Sequence, residues 1–186
     1  MTRLTLHGTP VYTEGTVPAV GHEVPRLTLT STQLTDVSLD HYGPGCKVLN
    51  IVPSLELPSF DAATRRLSDA LRAYSRATLI TVSQDLPFAN TRFDTGHSVV
   101  LSSFRCPKFA RAFGLEIISG PLKGLMAPAV FVLDGQHRVV HVELLREMSG
   151  SPDHAALLAA VRQASSPRAT TVAATPVAPV ACQQAA

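Results

Sequence analysis

The chain has three cysteines, and their thiols are the first groups to examine for chemistry. Cys106 follows Arg105 and precedes Pro107, so its sulfur is predicted near the start of a helix, where the helix dipole and a cation can lower the pKa of a thiol. No base, orienting hydroxyl or second cysteine stands beside it in the sequence. This favours a structural role and leaves Cys106 as a candidate reactive thiol. Cys46 is interpreted as a small buried residue at a strand start, and Cys182 as an exposed thiol without a role.

Two other groupings invite a metal or acid-base interpretation, and neither supports one. His137 and His141 lie four residues apart on a predicted strand, which would separate them by about 13 Å, too far for one ion. Asp85 and Asp94 could form a carboxylate pair, but Asp85 follows a predicted strand and is interpreted as capping the turn at residues 86–88. We therefore predict no metal site and no cofactor.

Composition indicates one folded unit without nucleic-acid or membrane chemistry. The 186 residues are 45% apolar and 16% charged, which is enough apolar chain to bury a core. A net charge of +2 is too small to favour a nucleic-acid partner. No stretch approaches the roughly 20 apolar residues of a membrane span, and the first residues lack the pattern of a secretory signal. An odd number of cysteines argues against a disulfide scaffold, and we expect a cytoplasmic protein.

The elements that must position these residues alternate between strands and helices. Buried strands are predicted from short apolar runs bounded by glycine or proline, and one long helix from an apolar stripe that runs from Phe60 to Tyr74 behind Ser59 as its N-cap. The predicted elements are a hairpin at 4–7 and 11–13, strands at 47–52, 78–82, 99–101, 130–133 and 139–144, and helices after 59, at 107–113 and at 153–163.

This order predicts an α/β fold, a thioredoxin-like three-layer sandwich with a mixed central sheet and an N-terminal β-hairpin. We assign residues 1–164 to this domain. Residues 165–186 change to Ala, Pro, Thr, Val and Gln with a single charge, at Arg168, and are predicted to form a flexible tail.

Four segments carry a resemblance to a known family. They are KVLNI at 47–51 followed by Pro53-Ser54, SQDLPFA at 83–89 with Arg92-Phe93, LSSFR at 101–105, and GPLKGL at 120–125. In order and spacing they resemble the bacterial thiol peroxidases, which are atypical two-cysteine peroxiredoxins. The likeness runs from about Leu4 to Val161. It implies a thioredoxin-like fold, a homodimer, and an ancestral reaction in which a cysteine thiolate reduces hydroperoxides and thioredoxin regenerates it.

The resemblance also implies where the reactive groups of the family should fall. The family pattern of proline, threonine and peroxidatic cysteine corresponds here to Pro53, Leu57 and Phe60. The resolving cysteine would follow the Arg-Phe pair, where this chain has Asp94. The pocket arginine would stand just before the next strand, where this chain has Pro128. Of these positions only the proline keeps the residue of the family.

Phenylalanine has no nucleophile and aspartate cannot form a disulfide, so we expect no catalytic residue at the family positions. The sequence predicts a thiol-peroxidase-like pseudoenzyme that acts as a binding, structural or regulatory subunit. Its predicted partners are a second copy or a related peroxiredoxin, and a protein bound through the tail. Two alternatives stay open: a residual thiol-dependent peroxidase or redox sensor using Cys106, and a remodelled pocket beside Phe60, Leu57 and Pro128 that binds an apolar ligand.

Overall fold

A seven-stranded sheet forms the centre of residues 1–166, which are the residues that the computed structural model describes. The strands are β1 (Thr2–Leu6), β2 (Thr9–Glu14), β3 (Leu29–Ser31), β4 (Asp36–Val37), β5 (Cys46–Ile51), β6 (Ala77–Ser83), β7 (Val99–Ser102), β8 (Glu116–Ile117), β9 (Ala129–Leu133) and β10 (Val139–Leu144). The helices are α1 (Pro58–Leu71), α2 (Phe109–Ala112) and α3 (His154–Ser165), and short 3-10 helices cover Leu39–Tyr42 and Asn90–Arg92.

The central sheet is mixed, as the sequence predicts. Its order is β10-β9-β5-β6-β7-β3-β4, in which β5, β6 and β7 run parallel to one another and the remaining pairs are antiparallel. The N-terminal hairpin pairs β1 with β2 and joins β8 in a separate three-stranded sheet. The carboxyl ends of the three parallel strands lie at the same end of the sheet, which places the segments that follow β5, β6 and β7 next to one another.

Alternating side chains of the central strands fill two different clusters, which gives three layers. Val48 packs with Leu67 of α1 and Leu157 of α3 on one face of the sheet. Leu49, the next residue of β5, packs on the other face with Phe113, behind α2, and the N-terminal hairpin. This period of two is the reason why the largely apolar β5 can serve both faces of a buried strand.

Lys47 is the one charged side chain of β5, and it is fully buried with 0% exposure. Its ammonium donates hydrogen bonds to the carbonyls of Gly43 and Gly45, which fixes the chain where it enters the strand. Burial lowers the pKa of Lys47 from its ordinary value, while Asp40 and Asp134 act in the opposite direction. The ammonium therefore anchors the glycine-rich segment before β5.

Glu147 fastens the N-terminal hairpin to the body of the domain. Its carboxylate accepts hydrogen bonds from the Thr5 hydroxyl at 2.7 Å and from the backbone amides of His7 and Gly8, which form the hairpin turn. Ser149 donates a further hydrogen bond at 2.8 Å. These donors, with the Thr5 hydroxyl contributing most, lower the pKa of Glu147 from 4.5 to about 2.

The lowered pKa of Glu147 predicts an acid-sensitive contribution to stability. Because the folded state prefers the ionised carboxylate, this contribution is complete above about pH 4.5 and is lost as the pH falls toward 2. In thermal unfolding between pH 7 and pH 2.5, we expect the wild type to exceed Glu147→Gln in Tm at neutral pH and the difference to shrink with acid. Asp94→Asn, at an exposed carboxylate with one local hydrogen bond from the Gly96 amide, controls for loss of one carboxylate. A difference that does not change with pH would contradict the prediction.

Most predicted elements agree with the structure, and the tail is not covered by it. The predicted tail at 165–186 lies outside the described residues apart from its first two, and helix α3 continues to Ser165. Within residues 1–166, no helix is both long and apolar enough to cross a membrane.

Candidate functional site

The candidate site lies where β5 ends and α1 begins. Beyond the strand, the Val52 amide donates to the Val82 carbonyl at 3.0 Å and so continues the alignment of β5 with β6. Pro53 is buried and turns the chain toward the helix. A proline here fixes the backbone torsion and offers no amide hydrogen, which suits a sharp exit from a buried strand.

Asp85, from the segment after β6, holds the chain between Pro53 and the helix. One carboxylate oxygen accepts from the Ser54 hydroxyl at 2.6 Å, and the other from the Leu55 amide at 2.8 Å. The prediction that Asp85 caps the turn at 86–88 is wrong, because its carboxylate faces a segment 30 residues away. That turn is closed by a backbone hydrogen bond from the Ala89 amide to the Leu86 carbonyl.

Helix α1 begins at Pro58, two residues earlier than the sequence predicts. Leu57 occupies the N-cap position without a side-chain hydrogen bond, and its carbonyl accepts from the Phe60 amide at 2.9 Å. The prediction of Ser59 as the N-cap is wrong, because proline is favoured in the first helical turn and its fixed torsion starts the helix there. Phe60 is therefore the third residue of the helix, two residues further into it than the sequence predicts.

Phe60 is only 7% exposed and packs where the segment between β5 and α1 meets the segment between β6 and β7. We call its surroundings the Phe60 cluster: the buried side chains of Val52, Leu55 and Phe60, with the partly buried side chains of Leu57, Phe93 and Val100 packed against them. The cluster thus draws side chains from the segment between β5 and α1, from β7 and from the segment between β6 and β7. Such packing supplies apolar contact and no group that reacts with a peroxide.

The other two positions singled out in the sequence, Asp94 and Pro128, lie on segments next to this junction. Asp94 is exposed, and its carboxylate accepts from the Gly96 amide at 3.1 Å, which closes a local turn. Pro128 is buried immediately before β9, and its carbonyl accepts from the Leu145 amide at 3.1 Å. The structure therefore brings Pro53, Leu57 and Phe60 together at one junction, with Asp94 in the next segment along the sheet edge.

The sequence does not predict one contact between the segment that precedes α1 and the segment that follows β6. Arg92, in the 3-10 helix after β6, forms an ion pair with Glu56, just before α1. Both side chains are more than half exposed, so the pair contributes little on its own. With the Asp85 hydrogen bonds and the Phe93 ring, it makes a third link across the junction.

The cysteines lie outside the Phe60 cluster wherever the structure describes them. Cys106 is 1% exposed in the core cluster that contains Phe109, and its thiol is not free. Cys46 is a free buried cysteine whose pKa is raised to about 11 by burial, which makes it a poor nucleophile. Cys182 lies outside the described residues.

The two histidines considered as metal ligands lie in different elements, one in a turn and the other in a strand. His137 is buried in the turn between β9 and β10, where burial lowers its pKa, and His141 lies on β10. Among residues 1–166, no three His, Cys, Asp or Glu side chains are close enough together to hold a metal ion.

Comparison with known proteins identifies the family. Residues 19–158 match the Redoxin family model, and the chain is 36% identical over 170 residues to a thiol peroxidase from Leptospira interrogans (serovar copenhageni), covering 88% of this chain and 99% of that protein. The chain belongs to the thiol peroxidase family of the peroxiredoxins. The resemblance in the sequence segments is thereby confirmed at the level of the family.

Solved structures support the same fold for this thiol peroxidase family member. A peroxiredoxin-like protein from Aquifex aeolicus superposes with a TM-score of 0.80 at 28% identity, covering 88% of this chain and 97% of that chain. The thiol peroxidase from Chromobacterium violaceum gives a TM-score of 0.81 at 20% identity, covering 87% and 95%. The predicted thioredoxin-like α/β sandwich with a mixed sheet is confirmed.

Proposed function

We propose that this protein is a thiol-peroxidase-like pseudoenzyme, which has lost hydroperoxide reduction and acts as a binding, structural or regulatory subunit. The observation that carries the proposal is the Phe60 ring, buried in the first turn of α1. In the family this position is expected to hold the peroxidatic thiolate, since Phe60 follows Pro53 at the family spacing. A phenyl ring can neither attack a peroxide oxygen nor form a sulfenic acid.

The neighbouring positions support the same proposal. The hydroxyl expected to orient a peroxide is replaced by Leu57, which packs against the Phe60 cluster. The expected pocket arginine is replaced by Pro128, and the expected resolving cysteine by Asp94. The nucleophile, the orienting hydroxyl, the stabilising cation and the resolving thiol are therefore all missing from the expected positions, so no single replacement would supply the reaction.

A coupled peroxidase assay tests the proposal directly. We expect the purified full chain, with thioredoxin, thioredoxin reductase and NADPH, to oxidise NADPH at the background rate with either hydrogen peroxide or cumene hydroperoxide. The Leptospira thiol peroxidase, assayed in parallel, is the positive control. Turnover within about tenfold of that control would contradict the proposal.

Two variants in the same assay distinguish activity at the expected peroxidatic position, Phe60, from activity at the other thiols of the chain. Phe60→Cys, checked for folding by circular dichroism, is expected to stay on the order of 100-fold or more below the positive control, because the hydroxyl and the cation are still absent. If the wild type does turn over, Cys106→Ala identifies whether Cys106 is responsible. This alternative requires an accessible thiol, whereas Cys106 is buried and its thiol is not free.

The proposed subunit role includes self-association or pairing with a related peroxiredoxin. Leu86, Phe88 and Phe104 are exposed, and the last two expose 61% and 59% of their surface. Ser102 links their segments, since its hydroxyl donates to the Asp85 carbonyl and accepts from the Phe104 amide at 3.1 Å. Exposed apolar side chains gathered at one end of a sheet favour a protein contact. Sedimentation velocity of the purified chain tests this, and a monomer at all concentrations would argue against the homodimer.

Two further parts of the proposal rest on the sequence. We place the protein in the cytoplasm, because an odd number of cysteines suits a reducing compartment, and subcellular fractionation tests this.

We also propose that residues 165–186 tether a protein partner. A pull-down with and without these residues tests the tether, and equal recovery of all partners by both forms would count against it.

A further inference from the structure

An irregular segment of the chain, residues 19–26, lies along the turn between β9 and β10, and we call it the strap. Its Val24 amide donates to the His137 carbonyl at 3.0 Å, and its Gly21 amide donates to the Val139 carbonyl at 2.8 Å. The Val139 amide donates back to the strap at 2.9 Å, and the Val24 side chain is buried. Because β10 is an edge strand, the strap covers the edge of the central sheet where β10 begins.

The backbone of this turn holds the His137 ring in the interior. His137 is 5% exposed and has a φ of 59°, in the left-handed region that a residue other than glycine seldom adopts. Its amide donates to the Asp134 carbonyl at 3.0 Å, which closes the turn. A Cβ atom added to Gly135 would lie 2.1 Å from the Pro44 carbonyl oxygen, so the turn packs directly against the segment before β5. The strap, the turn and that segment therefore meet at His137.

Charged side chains face the ring from the elements that surround it. Asp40, in the 3-10 helix before β5, brings a carboxylate oxygen within 3.7 Å of the ring Nδ1, but its side chain is 63% exposed and water weakens this attraction. In the strap, Glu23 and Arg26 pair with each other at 2.9 Å, so their charges largely offset one another. The ammonium of Lys47, in β5, is the one of these charges that is fully buried.

The remaining polar groups of the turn and the strap are engaged elsewhere. The Asp134 carboxylate accepts from two backbone amides of its own turn, each at 2.9 Å. The Arg138 guanidinium donates to the Gly21 carbonyl at 3.3 Å and adds a further hydrogen bond to the strap. His22, in the strap, is exposed. The charge state of the ring is therefore governed by its burial and by the charges that face it.

A proton on the ring would place a second buried cation near the first. The Lys47 ammonium is bonded to two backbone carbonyls, which leave its positive charge uncompensated. Burial, and then Lys47, lower the pKa of His137 from its ordinary 6.5, against the opposing effect of Asp40. The packed state therefore holds a neutral ring, whereas a released ring takes up a proton near pH 6.5. It follows that the packing is complete above about pH 6.5 and weakens as the pH falls below it.

We propose that the strap is a pH-sensitive element, which lies on the turn between β9 and β10 while the His137 ring is neutral and is released when the ring takes up a proton. Release frees the edge of the sheet at Val139 and exposes the apolar side chain of Val24. The response lies above the pH range in which Glu147 titrates, so the two effects are separable. This inference does not depend on the loss of peroxidase chemistry, since none of the family positions takes part in it.

Hydrogen exchange followed by nuclear magnetic resonance tests the proposal on the full chain. Protection factors, which correct for the intrinsic dependence of exchange on pH, are measured at pH 7.5 and at pH 5.0. We expect the Gly21, Val24 and Val139 amides of the wild type to lose protection by about tenfold at the lower pH. The linkage allows at most about 30-fold over the 1.5 pH units below 6.5. Amides in the paired centre of β5 and β6 are expected to keep their protection.

Substitutions of His137 and of Asp40 are expected to change this loss in opposite directions. His137→Asn removes the titrating ring, and asparagine tolerates the left-handed backbone, so the strap amides should be equally protected at both pH values. Asp40→Asn removes the carboxylate that favours the protonated ring, so the loss at pH 5.0 should grow by about twofold. Because Asp40 is exposed, this variant keeps the proposal testable should His137→Asn fail to fold.

His97→Asn is the matched control, since it removes an exposed imidazole outside the strap and the turn. It is expected to show the same loss of protection as the wild type. The proposal is overturned if the strap amides of the wild type keep their protection at pH 5.0, or if His137→Asn loses protection as the wild type does. It is also overturned if Asp40→Asn lessens the loss, or if β5 and β6 lose as much protection as the strap.

Discussion

Replacing Phe60 by alanine is expected to lower the free energy of unfolding by about 3 kcal/mol. The ring is 7% exposed and lies in a cluster of side chains from three segments, so its removal leaves a cavity as well as losing buried apolar surface. The estimate lies at the lower end for a phenylalanine in a core, because the ring borders the surface and alanine is the better helix former. Denaturation in urea, followed by circular dichroism, measures the difference.

Phe104→Ala is the matched control for this experiment. Phe104 is 59% exposed in the single chain, so at a concentration at which the protein is monomeric the same change of side chain should alter the free energy of unfolding by no more than about 0.5 kcal/mol. A reactive residue in an active enzyme is commonly placed at a cost to stability, whereas a packing residue contributes to it. If Phe60→Ala were as mild as Phe104→Ala, Phe60 would not be the anchor that its burial indicates.

Asp85→Ala is expected to destabilise the protein by about 2 kcal/mol and to loosen the start of α1. The change removes two hydrogen bonds to a charged acceptor, from the Ser54 hydroxyl and the Leu55 amide. Hydrogen exchange of the Leu55 amide gives a local readout, since this amide loses its only charged acceptor. Its exchange should accelerate by more than the global destabilisation explains.

Asp94→Ala distinguishes this effect from the loss of any carboxylate near the site. Asp94 is exposed and accepts only from the Gly96 amide among the described residues. We expect a change within about 0.5 kcal/mol and no effect on Leu55 exchange. Equal effects of the two substitutions would show that Asp85 has no special role in holding the segment before α1.

Strongly patterned elements could be predicted from the sequence, and short ones could not. The short, mainly apolar runs of β5 and β6 indicate strands buried on both faces. Strands β3, β4 and β8 have two or three residues each and were not predicted. Such short segments carry too little periodicity to indicate a strand, and they are held by pairing with β7, with each other and with β2.

The composition of the site could be predicted, but its connections could not. The strand and helix patterns, together with the family resemblance, predict Pro53, Leu57 and Phe60 at one strand-helix junction, and the structure agrees. The partner of Asp85 lies 30 residues away, so local turn chemistry suggested the wrong role for it.

The buried ammonium of Lys47 can report, through its reaction with an amine-reactive reagent, how often the start of β5 becomes exposed to solvent. The sequence has three lysines, and the other two, Lys108 and Lys123, are exposed. An amine-reactive reagent should therefore label Lys108 and Lys123 at once, while Lys47 reacts only when the segment around Gly43 and Gly45 comes apart. Mass spectrometry of the Lys47 peptide over time would then report how often the centre of the sheet is exposed, without any added label site.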